Sequence, residues 1–106
     1  MNISITARKF KAHDTLKEFI NAEVSSLVRY NDSIHKAEVI LSYQNITKSV
    51  KTAEIILTVP GQVLAAKEDS DDFKKSIPAC VEKLGKQLQK IKTKRIEHKE
   101  LNIFDD

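Results

Sequence analysis

Tryptophan is absent from this chain of 106 residues, glycine and proline occur twice each, and cysteine and methionine once each. Each shortage closes off a class of protein. A lone Cys80 rules out an internal disulfide and fits a reducing compartment. Two isolated glycines leave no Gly-rich loop to cradle the phosphates of a nucleotide. No apolar run approaches the roughly 18 residues of a membrane span, and the N-terminal stretch lacks the apolar centre of a signal peptide. A cytoplasmic protein is the expectation, with no membrane and no small-molecule substrate. The histidines His13, His35 and His98 fall in different predicted elements without metal-ligand spacing, so neither a metal nor another cofactor is expected.

What is present is a folding composition. Apolar residues make up 41% and charged residues 31%, a balance that suits a compact domain and not a disordered chain. The length allows one core and is too short for two. The first strand is expected over residues 2–7, where Ile3 and Ile5 share a face. Over residues 14–30 the period changes to three and four: Leu16, Phe19, Ile20, Val24 and Leu27 predict an amphipathic helix. Asp14 is its expected cap, and Thr15 with Glu18 offers a capping box.

Two longer alternating stretches follow. Ala37, Val39, Leu41 and Tyr43 form one apolar face, and Ala53, Ile55, Leu57 and Val59 another; the polar segment 45–49 links them into a predicted hairpin. Pro60-Gly61 reads as a tight turn into a fourth strand over 62–67. A final helix, capped by Ser70 or Asp71 and ending near Arg95, puts Phe73, Ile77, Cys80, Val81, Leu84, Leu88 and Ile91 on one face. Pro78 predicts a kink or irregular first turns in it. The expected fold is α+β: a single β-α-β-β-β-α domain over 1–96, a four-stranded sheet with two helices on one face, and a flexible polar tail over 97–106.

Charge is distributed unevenly. Residues 74–99 hold nine basic side chains against Glu82 and Glu97, a net +7, and the remainder carries −4. Lys83, Lys86, Lys90 and Lys94 fall within about 80° of one another on the last helix, in a stripe about 120° from its apolar face. Ammonium groups one turn apart, about 5.4 Å, can reach successive phosphates. The bland alternative is a solvated helix face. Few acidic partners at helical spacing and an acidic remainder argue for a polyanion partner instead.

The residues themselves resemble a known family. Asp71-Asp72-Phe73-x-x-Ser76-Ile77, then Val81-Glu82-Lys83-Leu84-x-Lys86-Gln87-Leu88-x-Lys90-x-Lys92-x-Lys94, is similar to the second helix of the ribosome hibernation-promoting factors, the sigma-54 modulation protein family. Ile3-x-Ile5-Thr6, Leu16-Lys17-Glu18-Phe19, and Leu27 with Tyr30 agree as well. The resemblance implies a double-stranded-RNA-binding-domain-like fold and a translation inhibitor acting under stress or in stationary phase. It implies docking on the small ribosomal subunit and the intact ribosome, between head and body where tRNA and mRNA would sit. By matching position it makes Lys83, Lys86, Lys90, Lys92 and Lys94 rRNA contacts, with Lys17 a lesser one. Glu23 and Ser26 stand where relatives often have Lys, so the first helix is expected to contribute little. The chain resembles the short form, which is not expected to join two ribosomes alone.

Catalysis has little support. Cys80 lies at the edge of the helix's apolar face, where a buried thiol is expected and not a nucleophile. Helix-start electrostatics accounts for Asp69, Asp71 and Asp72 without a cation. Two other readings stay open at this point: a homodimer or protein-interaction module using Ile40 and Ile56 on an open sheet face, and a generic double-stranded RNA-binding domain.

Overall fold

A computed structural model describes the backbone of residues 1–44 and 50–105 and the side chains of residues 1–43 and 50–91. Strand β1 (Asn2–Ala7) leads to helix α1 (Asp14–Ser25) and a short 3-10 helix (Ser26–Arg29); β2 (Lys36–Gln44), β3 (Val50–Val59), β4 (Gln62–Ser70) and α2 (Phe73–Asp105) follow. The expected element order and class are thus observed. The sheet runs β1-β2-β3-β4, with β1 parallel to β2 and the other pairs antiparallel. A helical crossover carries the chain back to the end where β1 began, which permits the parallel pair; the tight link at Pro60-Gly61 reverses direction. Gly61 has φ +86°, the conformation that the third position of this turn requires.

Period-2 patterning puts Ala37, Val39 and Leu41 opposite Leu57, Ile55 and Ala53, and all six are sealed from solvent. Leu64 and Ala66 extend this layer onto β4. Helix α2 lies over β3 and β4 and packs against α1, which touches β1. The helices bring Ile20, Val24, Ile77, Cys80, Leu84 and Leu88 to the core; each large aliphatic among them contributes about 1.5–3 kcal/mol through burial. Gly85 lets the helices approach: a Cβ there would stand 3.1 Å from the Tyr30 ring. On the opposite sheet face Ile40 and Ile56 are half-buried. They sit in rows shared with Glu38, Glu54, Ala65 and Lys67, and Val63 on the same face is 62% exposed.

Local details depart from expectation. Helix α1 stops at Ser25 and does not reach Tyr30. The Ser26 hydroxyl donates to the Glu23 carbonyl at 2.6 Å, a back-bond that competes with the ladder and tightens the last turn. His13, not Asp14, is the N-cap, extended and without a side-chain bond; buried Ala12 and the Lys17 N–H on the His13 carbonyl fix the start there. Asp72 caps α2 in place of Ser70 or Asp71: its Oδ1 accepts the Lys74 N–H at 2.9 Å. Strand β4 runs on to Ser70, because Asp69 and Ser70 pair with Thr52 and Lys51 and the Thr52 hydroxyl donates to Asp69 at 2.6 Å.

Helix α2 is continuous from Phe73 across Pro78, without the irregular start expected there. The carbonyl that loses its donor to Pro78 belongs to exposed Lys74, where water can replace it. The helix backbone also continues to Asp105, past the expected end near Arg95, since neither Gly nor Pro follows Gly85. Of the tail expected over 97–106, side chains lie outside the described residues, as does the whole of the link 45–49. Tyr43, expected in the core face, is 49% exposed, although the Phe10 ring packs edge-on against it.

Candidate nucleic-acid interface

The basic stripe of α2 occupies one flank of the helix. Gln87 donates from Nε2 to the Ala65 carbonyl at 3.2 Å, and Lys83 reaches Glu68 at 2.9 Å; both partners are on β4. The stripe therefore borders the β4 edge of the sheet. Helix α1 packs on the other flank, where Tyr30 meets Gly85. Lys17, exposed on α1, is consequently not brought to the stripe. Lys92 and Lys94 continue along α2 in sequence, and their side chains lie outside the described residues.

The stripe is less free than its spacing suggests. Lys83 pairs with Glu68, and Lys86, 70% exposed, stands 3.5 Å from Glu82 one turn earlier. Lys90 is exposed and has no acidic partner among the described residues. Helical spacing supplies one of these partners, Glu82 to Lys86, in line with the few expected. Glu68 arrives from a strand, which helical spacing cannot show. The exposed Lys86 pair is worth about 0–1 kcal/mol, so a phosphate can take the place of Glu82; Glu68 is partly buried. The lysines lie off the apolar face, and their replacement need not disturb the core.

A second group of cations escaped the sequence reading. Arg8, Lys9 and Lys11, in the loop after β1, are exposed, and Lys51 sits over the Phe73 ring, 5.9 Å from its centroid. All lie at the sheet end that carries Tyr43. Their scatter in sequence hides them from periodicity; an R-K-x-K run before the first helix was the only available signal.

Among the described residues no catalytic constellation accompanies these surfaces. Cys80 is buried, with Sγ 3.2 Å from the Ala53 carbonyl, and burial, reinforced by the charge of Glu68, pushes its thiol up to about 12. Such a thiol is not a nucleophile at neutral pH. Among the described residues no cluster of His, Cys, Asp or Glu could hold a metal ion. None of the described helices is long and apolar enough to cross a membrane. At the start of α2, Lys75 and Ser70 hold the Asp71 carboxyl below the usual carboxylate range by hydrogen bonding.

Fold and basic surface together define a small α+β domain with a cationic helix edge. Residues 3–96 match the family described as Sigma 54 modulation protein / S30EA ribosomal protein, and the chain belongs to that family. It is 30% identical over 98 residues to the ribosome hibernation promoting factor of Escherichia coli strain K12, covering 92% of this chain and all of that protein. The ribosome hibernation promotion factor of Deinococcus radiodurans is 26% identical, and the match covers 91% of this chain and 51% of that one. Among solved structures, a ribosomal subunit interface protein from Coxiella burnetii superposes with a TM-score of 0.78 at 26% identity, covering 88% of this chain and 99% of that one. The N-terminal domain of Thermus thermophilus Protein Y gives 0.76 at 26% identity, with coverages of 86% and 99%.

Proposed function

We propose that this chain is a ribosome hibernation factor that binds rRNA of the small subunit in the tRNA and mRNA path, on free subunits and intact ribosomes, and silences translation in the cytoplasm under stress or in stationary phase. Residues 1–96 form the binding domain. Lys83, Lys86, Lys90, Lys92 and Lys94 contact phosphates, with Lys17 a minor contact on the other flank. The single observation that carries this reading is the cationic edge of α2, exposed and separate from the helix's buried face, in a chain whose relatives are named for ribosome hibernation.

No chemistry is needed. Each phosphate contact releases counterions and adds affinity that falls with salt. Such contacts carry no sequence information, so selectivity comes from fitting the shape of a folded RNA cleft. A domain lodged in that path excludes mRNA and tRNA by occupancy.

The test is co-sedimentation with purified small subunits and intact ribosomes, paired with an in vitro translation assay. The protein should pellet at near-physiological salt, dissociate as salt rises, and lower translation in proportion to occupancy. A protein left wholly in the supernatant with ribosomes in excess would end the proposal.

A further inference from the structure

The loop over residues 8–11 is held by two inward anchors. The Arg8 N–H donates to the Leu41 carbonyl at 2.8 Å, extending the parallel pairing one residue. Phe10 then turns in, stacking on Phe73 at 5.6 Å and meeting the edge of Tyr43 at 5.2 Å between ring centroids. Lys9 between them has φ +64°, a region that residues with a Cβ rarely occupy and that persists only where neighbours over-determine it. Both Lys9 and Lys11 are thereby left outside, on either side of an anchored ring.

These cations differ from the α2 stripe. Among the described residues Arg8, Lys9 and Lys11 have neither an ion pair nor a side-chain hydrogen bond, whereas Lys83 and Lys86 are both paired. Three carboxylates near this end are already engaged, Asp69 by the Thr52 hydroxyl, Asp71 by Lys75 at 3.2 Å and Asp72 by the Lys74 N–H, while Asp14, three residues after Lys11, is exposed. Tyr43 is 49% exposed beside them, its ring braced on one side by Phe10. An exposed, braced aromatic with free cations around it has the composition that binds an unpaired nucleotide run: a base stacks on the ring and flanking phosphates meet the ammonium groups. A continuous duplex offers no such free base face.

We propose that Tyr43, Lys9, Lys11 and Lys51 form a second RNA contact, which takes a single-stranded segment of rRNA with one base stacked on Tyr43. Its partner rests on the hibernation-factor reading; its position does not involve the α2 stripe. Phe73 begins α2 and Lys83 lies ten residues on, about 15 Å along the axis, so the two contacts would grip the RNA at separate points.

The test measures affinity of the full chain for purified small subunits across a salt series. Lys9→Glu/Lys11→Glu should weaken binding at least about tenfold and lower the salt slope by about 1.4, the share of two single-strand phosphate contacts. Tyr43→Ala should weaken it by roughly 5- to 150-fold, while Tyr43→Phe, which keeps the ring and its contact with Phe10, should stay within about twofold. Circular dichroism melts verify that each variant is folded. Wild-type affinity in the double lysine variant, or equal loss in Tyr43→Phe and Tyr43→Ala, overturns the second contact and leaves the stripe standing. Failure of the wild-type protein to bind at all overturns the ribosomal reading, and this contact with it.

Discussion

Lys83 and Leu84 are consecutive residues, yet α2 turns them about 100° apart: Leu84 is fully buried and Lys83 is 54% exposed. The same division runs from Ile77 to Lys90. One flank rests on β3 and β4 and holds the domain together, while the other borders the β4 edge with its ammonium groups in solvent. A single helix thus separates stability from recognition by part of a turn. Changes on one side should unfold the protein, and changes on the other should uncouple it from its partner.

The largest expected effect breaks the recognition side alone. Lys83→Glu/Lys86→Glu/Lys90→Glu should cost more than about a hundredfold in ribosome affinity, roughly 2.7 kcal/mol or more. Its unfolding free energy in urea should stay within about 1 kcal/mol of wild type. Binding at wild-type strength would show that the wrong surface has been assigned.

The buried side provides the mirror image. Leu84→Ala should destabilise the domain by about 2–5 kcal/mol in denaturant melts, while any folded fraction keeps its ribosome affinity. A loss under 1 kcal/mol would mean that the site collapses around the missing methyls or is not core.

Cys80 tests the same buried side through pH. Its folded thiol lies at about 12 against an ordinary 9.0, so the unfolded chain gives up the proton first. The stability contributed by keeping the thiol protonated is complete below about pH 9 and is lost as pH rises towards about 12. Wild-type urea midpoints should therefore fall more steeply between pH 8 and 10.5 than those of Cys80→Ala. Parallel curves would contradict the burial of the thiol.

Smaller effects sharpen the boundary between the two sides. Asp72→Ala removes the bond to the Lys74 N–H and should cost about 1 kcal/mol, read as a lower melting temperature with unchanged ribosome binding. Glu82→Gln releases Lys86 from its 3.5 Å partner. It should change stability by less than about 0.5 kcal/mol and tighten binding slightly at low salt; weaker binding would mean that Glu82 itself touches the partner.

Much of this division was legible in the residues. Alternation in β2 and β3 fixed which side chains face inward, because a one-residue slip would expose every one of Ala37, Val39 and Leu41. The three- and four-residue spacing of Ile77, Cys80, Leu84 and Leu88 oriented α2 in the same way. Boundaries were less legible. Thr52 and Asp69 extend β4 by a bond between residues 17 apart, and Asp72 won the cap by its place relative to the first helical turn.

The cationic surfaces show the same limit. Spacing along α2 located Lys83, Lys86 and Lys90 on one flank, but their acidic neighbours could not all be read from it, since Glu68 comes from a strand. The loop cations follow no period, and Tyr43, which alternation with Val39 and Leu41 places in the core face, is exposed.

By itself, the sequence determined the α+β order, the inward face of each element and the position of the α2 lysines on their helix, because these depend on chain periods of two and 3.6 residues. Only the tertiary structure decided which flank of α2 meets β4, which lysines find carboxylates, and which aromatic stands uncovered at the sheet end. Those outcomes depend on contacts between segments far apart in the chain, which no local period encodes.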